Sequence, residues 1–321
     1  MTAGGPDRNR VTLAGRLAVR PEVAAALTAD RPVVALESTL ITHGLPYPEN
    51  LAVARQAEAA VRAEGAVAAT VAIHDGRLLV GLDDDALAEL AAAWPGSAFK
   101  ASRPSLAFAL ARPGWAGTTV SATMLTAHAA GIAVFATGGI GGVHRGAPFD
   151  VSSDLDELAR TPVAVVCAGP KSLLDVAATI EVLETRGVPV VSLASPEIAG
   201  FTARGSGVPA ALVAADEVEL ARLVGTHLGL GLGSGLLVSV PLPDVDALPD
   251  KVAGEATERA ISDAAAAGIH GPALTPWLLT RIAELTGGAS VRANTALIVN
   301  NARVAARLAG ALAKGSRATD G

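Results

Sequence analysis

Short apolar runs, each too short to be a helix and most followed by an amphipathic segment, constrain this chain more than any other feature. They are "PVVALES" (32–38), "AVAATVAIHDGRLLVGL" (66–82), "IAVFAT" (132–137), "VAVVCAG" (163–169) and "VPVVSLA" (188–194). A run without polar alternation reads as a strand covered on both faces. The helical patterns over 21–30, 48–65, 83–93, 104–111, 118–130 and 172–187 supply that cover. Together they predict an α/β fold: three layers, α/β/α, around a mixed, mostly parallel central sheet. The mixed character comes from "HDG" (74–76), a hairpin signal that turns two neighbouring strands antiparallel. The remainder reads as helix over 216–227, 250–267, 275–287 and 291–313, with a Gly-rich turn and one further strand in 229–243.

No shift in composition divides the chain. One catalytic domain is expected over 16–313, with a flexible leader over 1–15 and a flexible tail over 314–321. Of the 321 residues 50% are hydrophobic and 17% charged, enough apolar surface for a large core. The net charge of −6, without a Lys/Arg-rich run, argues against a nucleic-acid partner. The stretch from Trp115 to Val143 carries no Lys, Arg, Asp or Glu. Its glycines, hydroxyls and His128, and a break at Gly131, argue against a membrane span. The opening "MTAGGPDRNR" lacks the apolar core of a signal peptide, and Cys167 is the only cysteine, so the expected compartment is the cytoplasm.

In open α/β sheets ligands bind beyond the carboxyl ends of strands, and three of those ends carry unusual polar content. Lys171 follows "VAVVCAGP" in a chain that uses only four lysines among 25 basic residues. At a helix start the dipole disfavours its charge, and partial burial adds to that, leaving more free amine for attack on a carbonyl or anomeric carbon. A solvated lysine reaching past the strand end is the plainer reading. The spacing of a phosphate-binding P-loop is absent. Glu37 ends "PVVALE", where an apolar roof raises a carboxyl pKa and suits it to general acid work; a turn cap is the other reading. The loop "TGGIGGVHRG" (137–146) offers backbone amides, His144 and Arg145 to an anion. In "FDVSSD" (149–154) Asp150, Ser152, Ser153 and Asp154 are hard oxygen donors for Mg²⁺ or Mn²⁺, although Ser153 or Asp154 also reads as a helix cap. Cys167, His74 and His128 read as structural. Asn294 reads either as a group aimed at the site or as a cap.

The segments "ALESTLITHGLPYPEN", "KASRPSLAF", "GTTVSATM", "FATGGIGGVHRG", "FDVSSDLDEL", "CAGPKSLLD", "LETRGVPVV" and "TPWLLTRIAELTGG" occur in this order over 33–305. In them the sequence resembles the pseudouridine-5′-phosphate glycosidases, or pseudouridylate synthases, relatives of the indigoidine synthase A-like proteins. The resemblance implies reversible cleavage of the C–C glycosidic bond of pseudouridine 5′-phosphate to uracil and ribose 5-phosphate, through a lysine Schiff base with the opened sugar. It implies Lys171 as nucleophile and Glu37 as proton donor and acceptor. Lys100, Val120, Ser152, Ser153 and Asp154 are implied substrate contacts, with Thr137, His144 and Asn294 as site neighbours. Asp150 is implied as the metal position for Mn²⁺ or another divalent cation, and the assembly as a homotrimer. Two segments depart from the pattern. "SPEIAGFTARGSG" (195–207) replaces an aromatic-rich stretch, which bears on base selectivity, and "LIVNN" (297–301) lacks the usual lysine. Two rival readings are another Schiff-base phosphosugar lyase of aldolase type and a non-catalytic phosphosugar-binding protein.

Overall fold

The computed structural model describes residues 12–93, 96–269 and 274–319. The first strands in chain order are β1 (Leu17–Val19), β2 (Val33–Leu36), β3 (Val67–His74), β4 (Arg77–Val80), β5 (Phe99–Ala101), β6 (Trp115–Thr118) and β7 (Val134–Ala136). A short hairpin follows, β8 (Val143–His144) and β9 (Ala147–Val151), then β10 (Ala164–Cys167), β11 (Leu174–Asp175) and β12 (Val190–Leu193). The series ends with β13 (Glu197–Gly200), β14 (Ala203–Pro209), β15 (Leu212–Ala214) and β16 (Leu236–Ser239). The central sheet has 11 strands, with the main order β1-β4-β3-β2-β7-β10-β16-β12-β15 and with β5 and β6 attached through β3.

From β3 to β15 along this order every pairing is parallel. The antiparallel element is β3, paired with β4 and β6. The expected hairpin is present, with Asp75 at φ 45° and Gly76 at φ 75°, both in the left-handed region its turn requires. The sheet is thus mixed and mostly parallel, as expected, and the molecule is a single α/β domain. Both faces are covered because alternate residues serve different layers. Val34, Leu36, Val134, Ala136, Ala164 and Val166 pack toward the helices Glu49–Ala63, Glu217–Gly229 and Ala289–Thr319. Val33, Ala35, Phe135, Val165 and Cys167 pack toward Pro21–Thr28, Val120–Ala129 and Val176–Thr185. Burying a side chain such as Leu297 or Phe135 in this way contributes about 1.5–3 kcal/mol.

Some expectations hold and others change. The uncharged stretch 115–143 is strand β6, the helix Val120–Ala129, a turn at Gly131 (φ 83°) and strand β7. Among the described residues no helix is long and apolar enough to cross a membrane. Lys100 lies on β5. The helix expected from 172 starts only at Val176, where Asp175 caps it by accepting from the Ala178 amide at 2.9 Å. Residues 1–11 of the expected leader lie outside the described residues. The segment 13–16 is already helical, and the closing helix runs to Thr319, past the boundary expected at 313.

Candidate active site

The three strand ends singled out in the sequence meet because β2, β7 and β10 are consecutive and parallel. Glu37 follows β2, Thr137 follows β7, and the turn to Lys171 follows β10. The Thr137 hydroxyl donates to Glu37 Oε1 across the neighbouring strand ends. Asn301, fully buried in the closing helix, donates from Nδ2 to the Thr137 carbonyl at 2.9 Å and contacts the Gly138 carbonyl at 3.3 Å. It therefore fixes the backbone that presents Thr137. Sequence reading passed over Asn301, since a polar residue in a helix shows no sign of burial.

A cavity of about 260 Å³ opens in front of Glu37. Glu37, Lys100 and Lys171 supply its charged chemistry, and Thr39, Ser102, Thr119, Ser152 and Ser153 line it with hydroxyls. Val120, His144, Asp150 and Asp154 complete the residues expected there. Thr137 is not in this lining and reaches the site through its bond to Glu37, and Asn294 is not in it either. Asn294 faces a neighbouring, more apolar cavity of about 340 Å³ with Leu45, Ser172, Phe201 and Thr202. Ser172 adjoins Lys171, so the two cavities flank the same turn. Phe201 belongs to the departing segment 195–207, which forms the β13–β14 hairpin.

Asp154 is the main fastening of the first cavity. Its Oδ1 accepts from the Ser121 amide at 3.0 Å and its Oδ2 from the Gly141 amide at 2.9 Å. The helix cap is Ser152, which accepts from the Asp154 amide at 3.2 Å, and not Ser153 or Asp154 as expected. Ser153 and Ser121 share a hydroxyl contact at 3.2 Å, and the Arg103 amide donates to the Ser121 hydroxyl at 3.1 Å. Arg103 also reaches the fully buried Glu157, which takes a second bond from Thr161. These bonds knit the Lys100 segment, the start of the helix Val120–Ala129 and the Ser152–Asp154 turn into one wall.

The Gly-rich loop is not the open anion nest expected. Its Ile140 amide donates to the Gly169 carbonyl at 3.2 Å, Gly141 to Asp154, and Val143 to the Thr179 hydroxyl at 3.0 Å. Glycine is needed at 141 for close approach, since a Cβ there would stand 2.3 Å from Ser152 Oγ. Arg145 is likewise engaged: it donates to the carbonyls of Leu174 at 3.0 Å and Ser172 at 3.2 Å, clamping the turn that carries Lys171. Pairing of β11 with β8 ties the same turn to His144. Because the following helix begins at Val176, its dipole does not act on Lys171 as expected.

The electrostatics separate the charged groups. Burial pushes the Glu37 carboxyl pKa up. The Lys171 charge and the Thr137 hydrogen bond oppose this, Asp154 adds to it, and Lys100 opposes it more weakly. Lys100 lines the cavity and remains open to solvent on one side. Loss of hydration, discounted for that opening, and then the Lys171 charge lower its affinity for a proton. His43 is lowered by burial and by Lys100, and it shares a 2.7 Å contact with the Thr42 hydroxyl. Cys167 is fully buried and its thiol is pushed up to about 12, as suits a core thiol. His74 stacks on Trp115 with ring centroids 4.1 Å apart, and His128 is exposed in the last turn of its helix.

Among the described residues no group of three His, Cys, Asp or Glu could hold a metal ion. The donor chemistry at Asp150 still fits a hard cation of the Mg²⁺ or Mn²⁺ type. Such ions take one or two carboxylates and complete their shell with water and phosphate oxygens. Asp150 is an exposed carboxylate on the cavity lining, beside Ser152 and Ser153.

An amine, a buried carboxyl and a hydroxyl-lined hollow at the carboxyl ends of parallel strands define an α/β enzyme. The chain belongs to the indigoidine synthase A-like family, whose profile matches residues 22–311. It is similar to the pseudouridine-5′-phosphate glycosidase of Paracoccus denitrificans, with 52% identity over 92% of this chain and 98% of that protein. The enzyme of the same name from Solibacter usitatus is 51% identical over 91% of this chain and 98% of its own length. Among solved structures, the prealnumycin C-glycosynthase AlnA in complex with ribulose 5-phosphate superposes with TM-score 0.86 at 37% identity, covering 94% of this chain and 98% of that one. An indigoidine synthase A-like protein of Thermotoga maritima superposes with TM-score 0.82 at 31% identity, covering 92% of this chain and 96% of that one.

Proposed function

We propose that this enzyme cleaves, and in reverse forms, the C–C glycosidic bond of pseudouridine 5′-phosphate, interconverting it with uracil and ribose 5-phosphate. The observation that carries the reading is that Lys171 and Glu37 face one cavity, with burial favouring the protonated form of Glu37. The names of the Paracoccus and Solibacter relatives, and the pentulose phosphate bound to the C-glycosynthase, support the substrate class.

A C-glycoside has no heteroatom to leave on, so protonation alone does not break its bond. In the proposed path Lys171 Nζ attacks C1′, the C1′–O4′ bond breaks, and Glu37 gives O4′ its proton. The adduct's ammonium returns a proton to Glu37. The nitrogen lone pair then forms the C1′=N bond as the C1′–C5 bond breaks, and Glu37 protonates the uracil carbon. Water hydrolyses the protonated imine to ribose 5-phosphate, and the proton set free returns to Glu37, restoring the acid and leaving Lys171 as the neutral amine. The wall of Ser152, Ser153 and Lys100 suits the phosphate, with Asp154 holding that wall together. Asp150 is the residue that would hold Mn²⁺ or Mg²⁺, and a cation there would offset phosphate charge.

Borohydride reduction in the presence of ribose 5-phosphate, followed by peptide mapping, tests the path. An adduct on Lys171 is expected. The lowered proton affinity of Lys100 makes that amine the specific competitor, and an adduct on Lys100 would reassign the nucleophile. Release of uracil from pseudouridine 5′-phosphate separates this reading from an aldolase-type lyase and from a non-catalytic binder. By resemblance the chain is further read as a cytoplasmic homotrimer, which light scattering and cell fractionation test.

A further inference from the structure

Glu37 lines two cavities. In front is the one it shares with Lys171. Behind it, between the sheet and the helices Glu49–Ala63 and Ala289–Thr319, lies a small hollow of about 10 Å³, close to the least volume that seats one water molecule. Leu36, Leu40, Ala57 and Ile298 make most of its wall, and its polar residues are Glu37, Thr137 and Thr70. Thr70 stands on β3 opposite Leu36 in the parallel register, so its side chain lies one strand away from the Glu37 turn. Its hydroxyl donates to Glu58 Oε1 at 2.6 Å, and Glu58 Oε2 takes a 2.8 Å bond from Arg62. The Glu58 side chain is 7% exposed and the Arg62 side chain 44%, so this chain of groups runs from the hollow to solvent.

We propose that Thr70, with one water in the rear hollow and with Glu58, is a proton route that connects Glu37 to solvent behind the sheet. The inference rests on the acid–base reading of Glu37. Sugar phosphate in the front cavity would cover Glu37 from bulk water, and the rear route lets its proton equilibrate while substrate is bound. For outward transfer Glu37 gives its proton to the water, the water gives one to Thr70 Oγ1, and Thr70 gives its own to Glu58, which releases it. One proton moves, every oxygen regains its bond count, and reversal needs only rotation of the hydroxyl and the water. A hydroxyl at position 70 is essential to this chemistry because a methyl neither accepts nor donates. Thr70 is thus a positioning and relay residue that acts through Glu37.

The test is steady-state turnover of pseudouridine 5′-phosphate by the full chain in H₂O and D₂O. Thr70→Val is expected to lower kcat about tenfold, raise the solvent isotope effect and leave KM within about twofold, while Thr70→Ser restores all three. Ala57→Val fills the hollow from a residue with no side-chain hydrogen bond, and is expected to reproduce the loss without disturbing Glu58. Circular dichroism establishes that each variant is folded. Wild-type kcat and isotope effect in folded Thr70→Val or folded Ala57→Val would overturn the route, as would a loss in Thr70→Ser equal to that in Thr70→Val. Glu37→Gln separates the two levels: an active Glu37→Gln removes the acid–base reading itself, whereas an inactive one beside silent Thr70 and Ala57 variants removes the route alone.

Discussion

The hydroxyl of Thr137 donates to the carboxylate of Glu37 across the ends of two adjacent parallel strands. The bond favours the ionised carboxylate and so works against burial, which favours the protonated one. Thr137→Val therefore raises the Glu37 pKa further. If Glu37 is the proton donor, the rate falls as pH rises through that pKa, and the alkaline limb of the kcat/KM profile moves to higher pH in the variant. A limb that stays put or moves down would separate Glu37 from the titration.

Glu37→Gln keeps shape and removes the transferable proton, so a loss of roughly 10²–10⁴-fold in kcat is expected. Stability supplies a second readout. A carboxyl whose folded pKa is raised contributes stability that is fully present below its unfolded pKa and is lost as pH rises through its folded pKa. The wild-type melting temperature should fall across that interval, and Glu37→Gln should flatten the fall.

Lys171→Arg keeps the charge and loses the imine, because guanidinium is neither deprotonated nor nucleophilic near neutral pH. Uracil release should drop to background while the circular dichroism spectrum is retained. Substantial turnover in this variant would place the nucleophile elsewhere, with Lys100 the first place to look.

Asp154 accepts from two backbone amides, those of Ser121 and Gly141. Asp154→Ala leaves both without their partner, which costs about 2–5 kcal/mol. The urea midpoint should fall accordingly, and KM for the phosphorylated substrate should rise as the wall loosens. A variant of wild-type stability would mean that neighbouring groups replace the carboxylate.

Asp150→Ala should abolish any dependence of turnover on Mn²⁺ or Mg²⁺ and should remove Mn²⁺ binding in a paramagnetic titration. An unchanged titration moves the cation to another group.

The sequence made the main sheet legible because β2, β7, β10 and β12 are buried on both faces, and such strands have no polar alternation to obscure them. It also showed which polar groups end these strands, and thus most of the front cavity. The small elements were hidden. β11 is two residues long within an amphipathic run that favours helix, and only its pairing with His144 and the Asp175 cap move the helix start away from Lys171. The β13–β14 hairpin pairs Gly- and Ser-rich segments with no hydrophobic period. The glycines of 138–142 looked like ligand contacts but are packing sites, because composition shows that a backbone can come close and does not show to what. Asn294 faces the second cavity since the closing helix turns that side of itself toward Phe201 and Leu45.

The last strand of the central sheet to be synthesised is not at its edge. β16, near residue 239, enters between β10 and β12, which pair with it and not with each other. A nascent chain that ends before this point leaves the strand preceding Lys171 with an open side, a surface prone to pairing with other chains. The chain that completes the pocket is therefore synthesised late. The pocket's groups are distant in sequence, the helix bearing Asn301 closes over Thr137 after β16 has been made, and no amino-terminal fragment can hold the arrangement by itself.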